Sequence, residues 1–302
     1  MNLRELEYLL AVDEERHFHK AAERCFVSQP TLSGQLKKLE QELGVLLVER
    51  STRQVVMTDV GRAVAEEARQ VLAGVRQIKD LAATYHDPMV GELHVGLIPT
   101  VAPYLLPNIM SGMKKEFPNL SLWLHEQQTS VLLKMLRQAE LDMLILALPV
   151  ETDEFSELAL YREPFQLAVS KSEPLASQDV ISLSDLGEHE MLLLEEGHCL
   201  RNQVLDVCFM AGATENASFH ATSLETLRYM VGEGMGMTLM PELAVPDKTS
   251  SKDLIQYLRF SDPMPGREIG ILYRKGSYRE KTFLGIQNSI RKSIALRKKI
   301  KL

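Results

Sequence analysis

The run from Asp59 to Tyr85 constrains this chain more than any other segment. Thr58 is a good N-cap and His86-Asp87-Pro88 supplies a stop, so the sequence predicts one long helix over 59–85. Along it Val64, Ala68, Val71, Val75, Ile78 and Ala82 recur at spacings of four and three, which is a heptad seam of rather small residues. A single helix in solvent needs no such seam. It predicts pairing with a second copy; packing against its own domain is the alternative. Either way the rod divides the 302 residues into a short front piece and a long rear piece, and a chain of this length suggests two or three domains.

The front piece, residues 1–58, reads as a helical unit ending in a hairpin. Leu6, Leu9, Leu10, Val12 and Phe18 form a first apolar stripe, and His19 to Cys25 a second helix. Phe26-Val27-Ser28 is a tight connection, with Ser28 an N-cap and Pro30 tolerated in the first turn that follows. The next helix places Leu32, Leu36, Leu39 and Leu43 on one face and ends at Gly44. Its other face carries Gln29, Pro30, Thr31, Ser33, Gly34, Lys37 and Lys38. A short turn between two helices, with a small polar N-terminal face on the second, is the helix-turn-helix plan for entering a major groove. Gln29, Thr31 and Ser33 suit base edges; Lys37 and Lys38 suit phosphates. Val45–Glu49 and Gln54–Thr58 read as two strands forming a wing, with Arg50 and Arg53 at its tip. A structural helical hairpin with a solvated face would show much of the same pattern.

A resemblance narrows this. Ala21-Ala22, Val27-Ser28-Gln29-Pro30-Thr31-Leu32-Ser33, Leu39-Glu40, Leu43-Gly44, Glu49-Arg50, Arg53 and Thr58-Asp59-Val60-Gly61 resemble the N-terminal signature of LysR-type transcriptional regulators over about sixty consecutive residues. Ser28, Gln29, Pro30, Thr31, Ser33, Lys37, Lys38, Arg50 and Arg53 are then the expected DNA-binding residues. The resemblance makes 59–87 the linker helix that pairs two subunits and sets the spacing of their reading heads. Where the family commonly carries a basic residue after the wing arginine, this chain has Gln54.

The rear piece, 88–302, alternates strand and helix. Strands are predicted at Glu92–Ile98, Leu120–Glu126, Leu141–Leu148, Phe165–Ser170, Glu190–Leu194, Ala217–Ala221, Gly236–Met240 and Glu268–Tyr273. Helices are predicted at Tyr104–Phe117, Val131–Ala139, after Cys199, at Leu224–Gly232 and from Arg279 to Leu296. Such units build open α/β sheets. Two sets suggest two lobes with a crevice between them, as in periplasmic-type binding folds: about 88–162 plus 268–302, and about 163–267. The late strand at 268 returns the chain to the first lobe. The expected architecture is a winged helix-turn-helix, a linker helix and a two-lobed α/β regulatory domain. The last residues, Ser289–Leu302, hold six Lys/Arg and no acid, which suits a solvated helix end.

Two of the three cysteines fall in one stretch, Glu195-Glu196-Gly197-His198-Cys199-Leu200-Arg201, with Cys208 nine residues beyond Cys199. An apolar run at Met191–Leu194 reads as a strand, Gly197-His198 as a turn, and Leu200, Val204, Val207 and Cys208 as a helical stripe. Cys199 then lies at a helix N-terminus, where the partial positive charge favours a thiolate; a protonated His198 favours it further. In one helix the two cysteines stand ~13–14 Å apart, whereas a disulfide needs Cα atoms within ~7 Å. Pairing would require the helix to unwind. The alternative is two unrelated helical cysteines, with Cys208 buried as a small hydrophobe. Cys25 reads as core.

The rear piece resembles the peroxide-sensing branch of the same family. The carriers are Gly96-Leu97-Ile98-Pro99-Thr100-Val101, Pro103-Tyr104-Leu105-Leu106-Pro107, His125-Glu126, Gln128-Thr129, Leu194 through Arg201, Cys208 and Ala221-Thr222-Ser223-Leu224-Glu225-Thr226-Leu227-Arg228. The resemblance implies that Cys199 is the peroxidatic cysteine and Cys208 the resolving one. It makes Thr100 and Thr129 candidates to hold hydrogen peroxide, and His198, Arg267 and Arg228 candidate cations beside the thiolate. It implies a homodimer or homotetramer on double-stranded operator DNA, recruitment of RNA polymerase to oxidative-stress genes, and resetting by glutaredoxin or thioredoxin. No cofactor, metal site or enzymatic turnover is expected. A regulator sensing a small organic ligand and a thiol peroxidase are the competing classes; the cysteine pair speaks against the first and the helix-turn-helix against the second.

Bulk composition sets outer bounds. Net charge is −7, and residues 1–87 hold 12 Lys/Arg against 14 Asp/Glu, so DNA contact must come from a local patch. Three cysteines make no disulfide framework. No apolar stretch reaches ~18 residues, and Met1–Arg16 lacks a signal-peptide plan. The expectation is a cytoplasmic protein with no membrane contact.

Overall fold

The computed structural model describes residues 1–50, 55–84, 87–187, 189–247 and 253–295. Arg53, at the expected wing tip, and the basic tail beyond Ala295 lie outside the described residues. The chain falls into two compact units, Met1–Tyr85 with Arg137–Glu140, and His86–Leu136 with Leu141–Leu302.

In the first unit, α1 (Leu3–Glu15) opens on an Asn2–Glu5 capping box. It packs with α2 (Phe18–Arg24) and α3 (Gln29–Leu43) on a core of Leu9, Val12, Ala21, Ala22, Leu32, Leu36 and Leu39. Leu32, Leu36 and Leu39 of the predicted α3 stripe are buried, Leu43 at its end is exposed, and Gly44 ends the helix in the left-handed region. The α2–α3 turn is a Schellman closure: Val27 N–H donates to the Ala22 carbonyl and Phe26 N–H to the Glu23 carbonyl, each at 3.0 Å. This puts Phe26 at φ 54°, a conformation that costs an L-residue about 1–2 kcal/mol.

Strands β1 (Val48–Arg50) and β2 (Val55–Met57) pair antiparallel as the wing. The buried Glu40 carboxylate anchors its root by accepting from Leu47 N–H at 2.9 Å and Val48 N–H at 3.2 Å. Thr58 caps α4 (Asp59–Thr84) by accepting from Gly61 N–H at 2.8 Å. A Cβ on Gly61 would stand 2.0 Å from the Leu47 carbonyl oxygen, so this contact admits glycine alone. The predicted seam of α4 is split. Of its residues Ala68 is buried, and the Arg69–Asp13 pair at 2.5 Å ties the helix to α1; Val64 and Val75 are half-buried, whereas Val71, Ile78 and Ala82 stand exposed, as does the neighbouring Leu81.

The second unit is built on one long twisted sheet. Its elements in chain order are β3 (Gly91–Leu97), α5 (Ala102–Glu116), β4 (Leu120–Glu126), α6 (Thr129–Arg137), β5 (Met143–Leu148), β6 (Phe155–Ser170), β7 (Val180–Ile181), β8 (Glu190–Leu194), α7 (Cys199–Ala211), β9 (Thr214–Ala221), α8 (Leu224–Gly232), β10 (Thr238–Pro241), β11 (Ile255–Phe260), β12 (Gly266–Arg274) and α9 (Glu280–Ala295). The strand order is β4-β3-β5-β12-β6-β11-β7, with β10 also on β6 and β8-β9 a separate parallel pair. β3 pairs parallel with β4 and β5, and the returning β12 lies antiparallel to β5.

The unit holds two separate hydrophobic cores. The first holds Leu93, Val95, Ile98, Val101, Leu105, Leu144 and Phe283. The second holds Phe165, Leu167, Leu192, Leu200, Val204, Cys208, Leu227 and Leu258. β6 starts ten residues before its predicted start at Phe165 and belongs to both: Phe155–Pro164 pairs with β12, Phe165–Ser170 with β10 and β11. No helix among the described residues is long and apolar enough to cross a membrane.

Candidate redox site and nucleic-acid interface

The turn after β8 delivers Cys199 to the first position of α7. Gly197 has φ 93°, and a Cβ there would lie 2.5 Å from the Gln128 side-chain oxygen. The turn is therefore seated directly against the start of α6. His198 is the N-cap of α7 and lends it no side-chain hydrogen bond. Arg201 fastens the first helical turn to the strands behind it, donating to the Leu194 carbonyl at 3.1 Å and pairing with Glu215 at 2.6 Å.

The two cysteines lie in one helix but in different surroundings. Cys199 is half-buried and packs against the first core. Cys208, 3% exposed, is sunk in the second. Burial pushes the Cys208 thiol up to about 11, so it is a protonated, poor nucleophile in this fold.

Thr100 follows β3 and is buried. Its hydroxyl accepts from Arg267 Nη1 and its carbonyl from Nη2, both at 2.9 Å. A hydroxyl that already accepts from a guanidinium has its own proton to donate outward, as a peroxide oxygen needs. Thr129 opens α6 beside Gln128; its Oγ1 is buried with no partner among the described residues. A donor left in that state is available to a small ligand.

The three candidate cations fare differently from the sequence expectation. Burial holds the His198 imidazole below its ordinary value, with Glu195, 3.9 Å away, only partly offsetting it. At neutral pH the ring is uncharged, so the expected cation is a neutral N–H group. Arg267 is buried but matched by Glu163, at 2.8 Å, so it holds Thr100 rather than presenting net charge. Arg228 is not brought to this cluster. It pairs with Glu225 at 3.1 Å and donates to the Ala244 carbonyl. It lines a separate cavity of about 340 Å³ with Tyr229, Pro246, Leu254 and Tyr257.

Sequence reasoning missed Glu163, Gln128 and Arg201. Glu163 carried a signal: an acid between Leu160-Tyr161 and Phe165–Val169 sits in a strand buried at both ends and needs a partner. Its other oxygen accepts from Leu243 N–H at 2.9 Å. Gln128 and Arg201 stand in motifs that carry the resemblance, but nothing in the sequence assigns either a role.

In the first unit, Ser28 caps α3 by accepting from Thr31 N–H, and Ser28, Gln29, Pro30, Thr31, Lys37 and Lys38 are exposed, Ser33 half-buried. Lys38 also faces the buried Glu5 at 3.5 Å. Arg50 ends β1. The N-terminus of α3 is thus an exposed polar edge with fixed geometry, suited to base edges in a groove.

Comparison with known proteins agrees with both halves. Residues 3–62 match the bacterial regulatory helix-turn-helix protein, lysR family, and residues 86–291 the LysR substrate binding domain. The chain is 50% identical over 277 residues to the DNA-binding transcriptional dual regulator OxyR of Escherichia coli K12, covering 92% of this chain and 90% of that one. It is 47% identical over 296 residues to a hydrogen peroxide-inducible genes activator of Dickeya chrysanthemi, covering 98% and 97%. Among solved structures it is similar to full-length OxyR C199D from Pseudomonas aeruginosa, with a TM-score of 0.75, 37% identity and coverage of 96% and 95%. With a matched reading head, a matched regulatory domain and relatives this near over nearly the whole chain, the protein belongs to the LysR family of transcriptional regulators and is closely related to OxyR.

Proposed function

We propose that this protein senses hydrogen peroxide and regulates transcription of oxidative-stress genes, with Cys199 as the peroxidatic residue and Cys208 as its resolving partner. The observation that carries the reading is the pair itself: Cys199 half-buried at the head of α7, Cys208 nine residues on in the same helix and buried in another core. The names of the near relatives support the same stimulus.

The Cys199 thiolate attacks one peroxide oxygen, the O–O bond breaks, and the other oxygen leaves as hydroxide and is protonated to water. Hydroxyls at Thr100 and Thr129 suit donation to the peroxide oxygens, which lowers the barrier by holding the reactant and stabilising the departing charge. Arg267 positions Thr100. Cys199 is now a sulfenic acid. Cys208 attacks its sulfur, an S–S bond forms and hydroxide leaves as water. Nine helical residues hold the two Cα atoms ~13–14 Å apart, so α7 unwinds before this step. Two electrons from glutaredoxin or thioredoxin reverse it. The exposed Val71, Ile78 and Leu81 of α4 suit pairing of two chains on a double-stranded operator, with assembly to a tetramer and recruitment of RNA polymerase as the output.

Peptide mass spectrometry after mild peroxide, with free thiols blocked, tests the switch. A Cys199–Cys208 cross-linked peptide that disappears with dithiol is the expected result. A Cys199→Ser protein that still responds to peroxide normally overturns the assignment.

A further inference from the structure

Among the described residues, Phe26 is the most exposed large apolar side chain, at 95%. It also occupies the left-handed position of the α2–α3 turn, at φ 54°, where glycine or asparagine is the ordinary occupant. A phenyl ring here gains no burial and strains the backbone. The chain's own stability thus gives no reason for it, and residues held in such conformations mark functional positions.

The surroundings say what the ring meets. Phe26 stands two residues before Ser28, the cap of α3, whose first turn exposes Gln29, Pro30 and Thr31. Its charged neighbours on α2 are already engaged: Arg24 with Glu14 and Glu15, and Glu23 with His19. A single phenyl offers at most ~250 Å², far below the ~800 Å² per partner of a stable protein interface. The N-terminus of a recognition helix enters the major groove, and the one apolar feature displayed there is the C5-methyl group of thymine.

We propose that Phe26 is a sequence-reading residue whose ring packs on the C5-methyl of one thymine in each half-site. This rests on the reading of the chain as a DNA-binding regulator. The reduced full-length protein is first used to select its operator from a random duplex library. Each thymine is then replaced in turn by deoxyuridine, which lacks only that methyl, and Kd is measured for the wild type and for Phe26→Asn, an exchange that suits the left-handed turn. One position per half-site is expected where losing the methyl weakens wild-type binding roughly fourfold, about the value of one buried methyl group. At that position Phe26→Asn should respond less than 1.5-fold, while melting no lower than the wild type. Identical deoxyuridine profiles for the two proteins overturn the assignment of Phe26 with DNA binding intact. Failure of the wild type to select any sequence removes the DNA-binding reading and this inference with it.

Discussion

Replacing Arg267 by methionine probes the buried hub of the regulatory domain. The guanidinium makes four short contacts, two to Glu163 and two to Thr100, all between 2.8 and 2.9 Å. Both side chains of the ion pair are 1% exposed. Without Arg267, Glu163 keeps one donor, Leu243 N–H, for a buried carboxylate. Breaking a pair of this kind costs about 3–5 kcal/mol, most of it from the charge left behind. The double variant Arg267→Met with Glu163→Gln removes that charge and keeps an acceptor for Leu243, so it should regain at least ~2 kcal/mol. Trp123, the single tryptophan, lies on β4 in the same unit and reports urea unfolding. With a slope of ~2 kcal/mol/M, the single variant should lower the midpoint by roughly 2 M and the double by about half that. A shift under ~0.5 M for Arg267→Met, or a double variant less stable than the single, refutes the claim that an orphaned charge dominates this site.

Four further outcomes are expected. Thr100→Val keeps the shape but removes the hydroxyl that Arg267 holds, so Cys199 sulfenic acid formation, followed by a sulfenic-acid probe in stopped flow, should slow by tenfold or more; an unchanged rate means the hydroxyl does not act on peroxide. With its thiol near 11 against an ordinary 9.0, Cys208 of the folded protein should react with iodoacetamide roughly a hundredfold more slowly than in urea at the same pH, from ionisation alone; equal rates would mean that α7 opens freely. Because burial lowers His198 below its ordinary value, the unfolded chain binds that proton first as pH falls below about 6.5. The contribution is intact above that pH and is lost progressively beneath it, so urea midpoints of the wild type should fall more between pH 7.5 and 5.5 than those of His198→Gln. Gly197→Ala meets both φ 93° and the Gln128 oxygen and should lower stability by about 1–3 kcal/mol in calorimetry; no change would mean that the turn is not held against α6.

Local patterns in the sequence carried the reading head. Ser28 as cap, the buried Leu32, Leu36 and Leu39 of α3, Gly44 as stop and Thr58 as the start of α4 each follow from a signal within four residues, and each stands where the pattern predicts. β4, β8 and α8 match their expected ends to the residue, because each is a periodic run between turn residues. β7, β11 and the first ten residues of β6 have no counterpart among the predicted strands. The stretch around Glu157, Arg162 and Glu163 looks too charged for a central strand, and only the pairing with β12 accounts for it. The candidate redox site was legible in its residue types and not in their electrostatics. Nothing near Arg267 in the sequence announces Glu163 or Thr100, more than a hundred positions away, and nothing near His198 announces that burial would neutralise it. Charge state is a property of packing, and packing between distant segments leaves no local trace.

The sixteen-residue β6 has a mechanical consequence. It runs unbroken from one lobe into the other, with Arg162, Glu163 and Pro164 laddered to Glu268, Arg267 and Gly266 at the crossing. Such a continuous ribbon stiffens the crossing, because bending it means breaking ladder hydrogen bonds. Under the proposed disulfide switch, a change that begins at α7 is held by a covalent bond rather than by a ligand that departs. The response would then outlast the peroxide for as long as that bond survives, with its duration set by the rate of reduction.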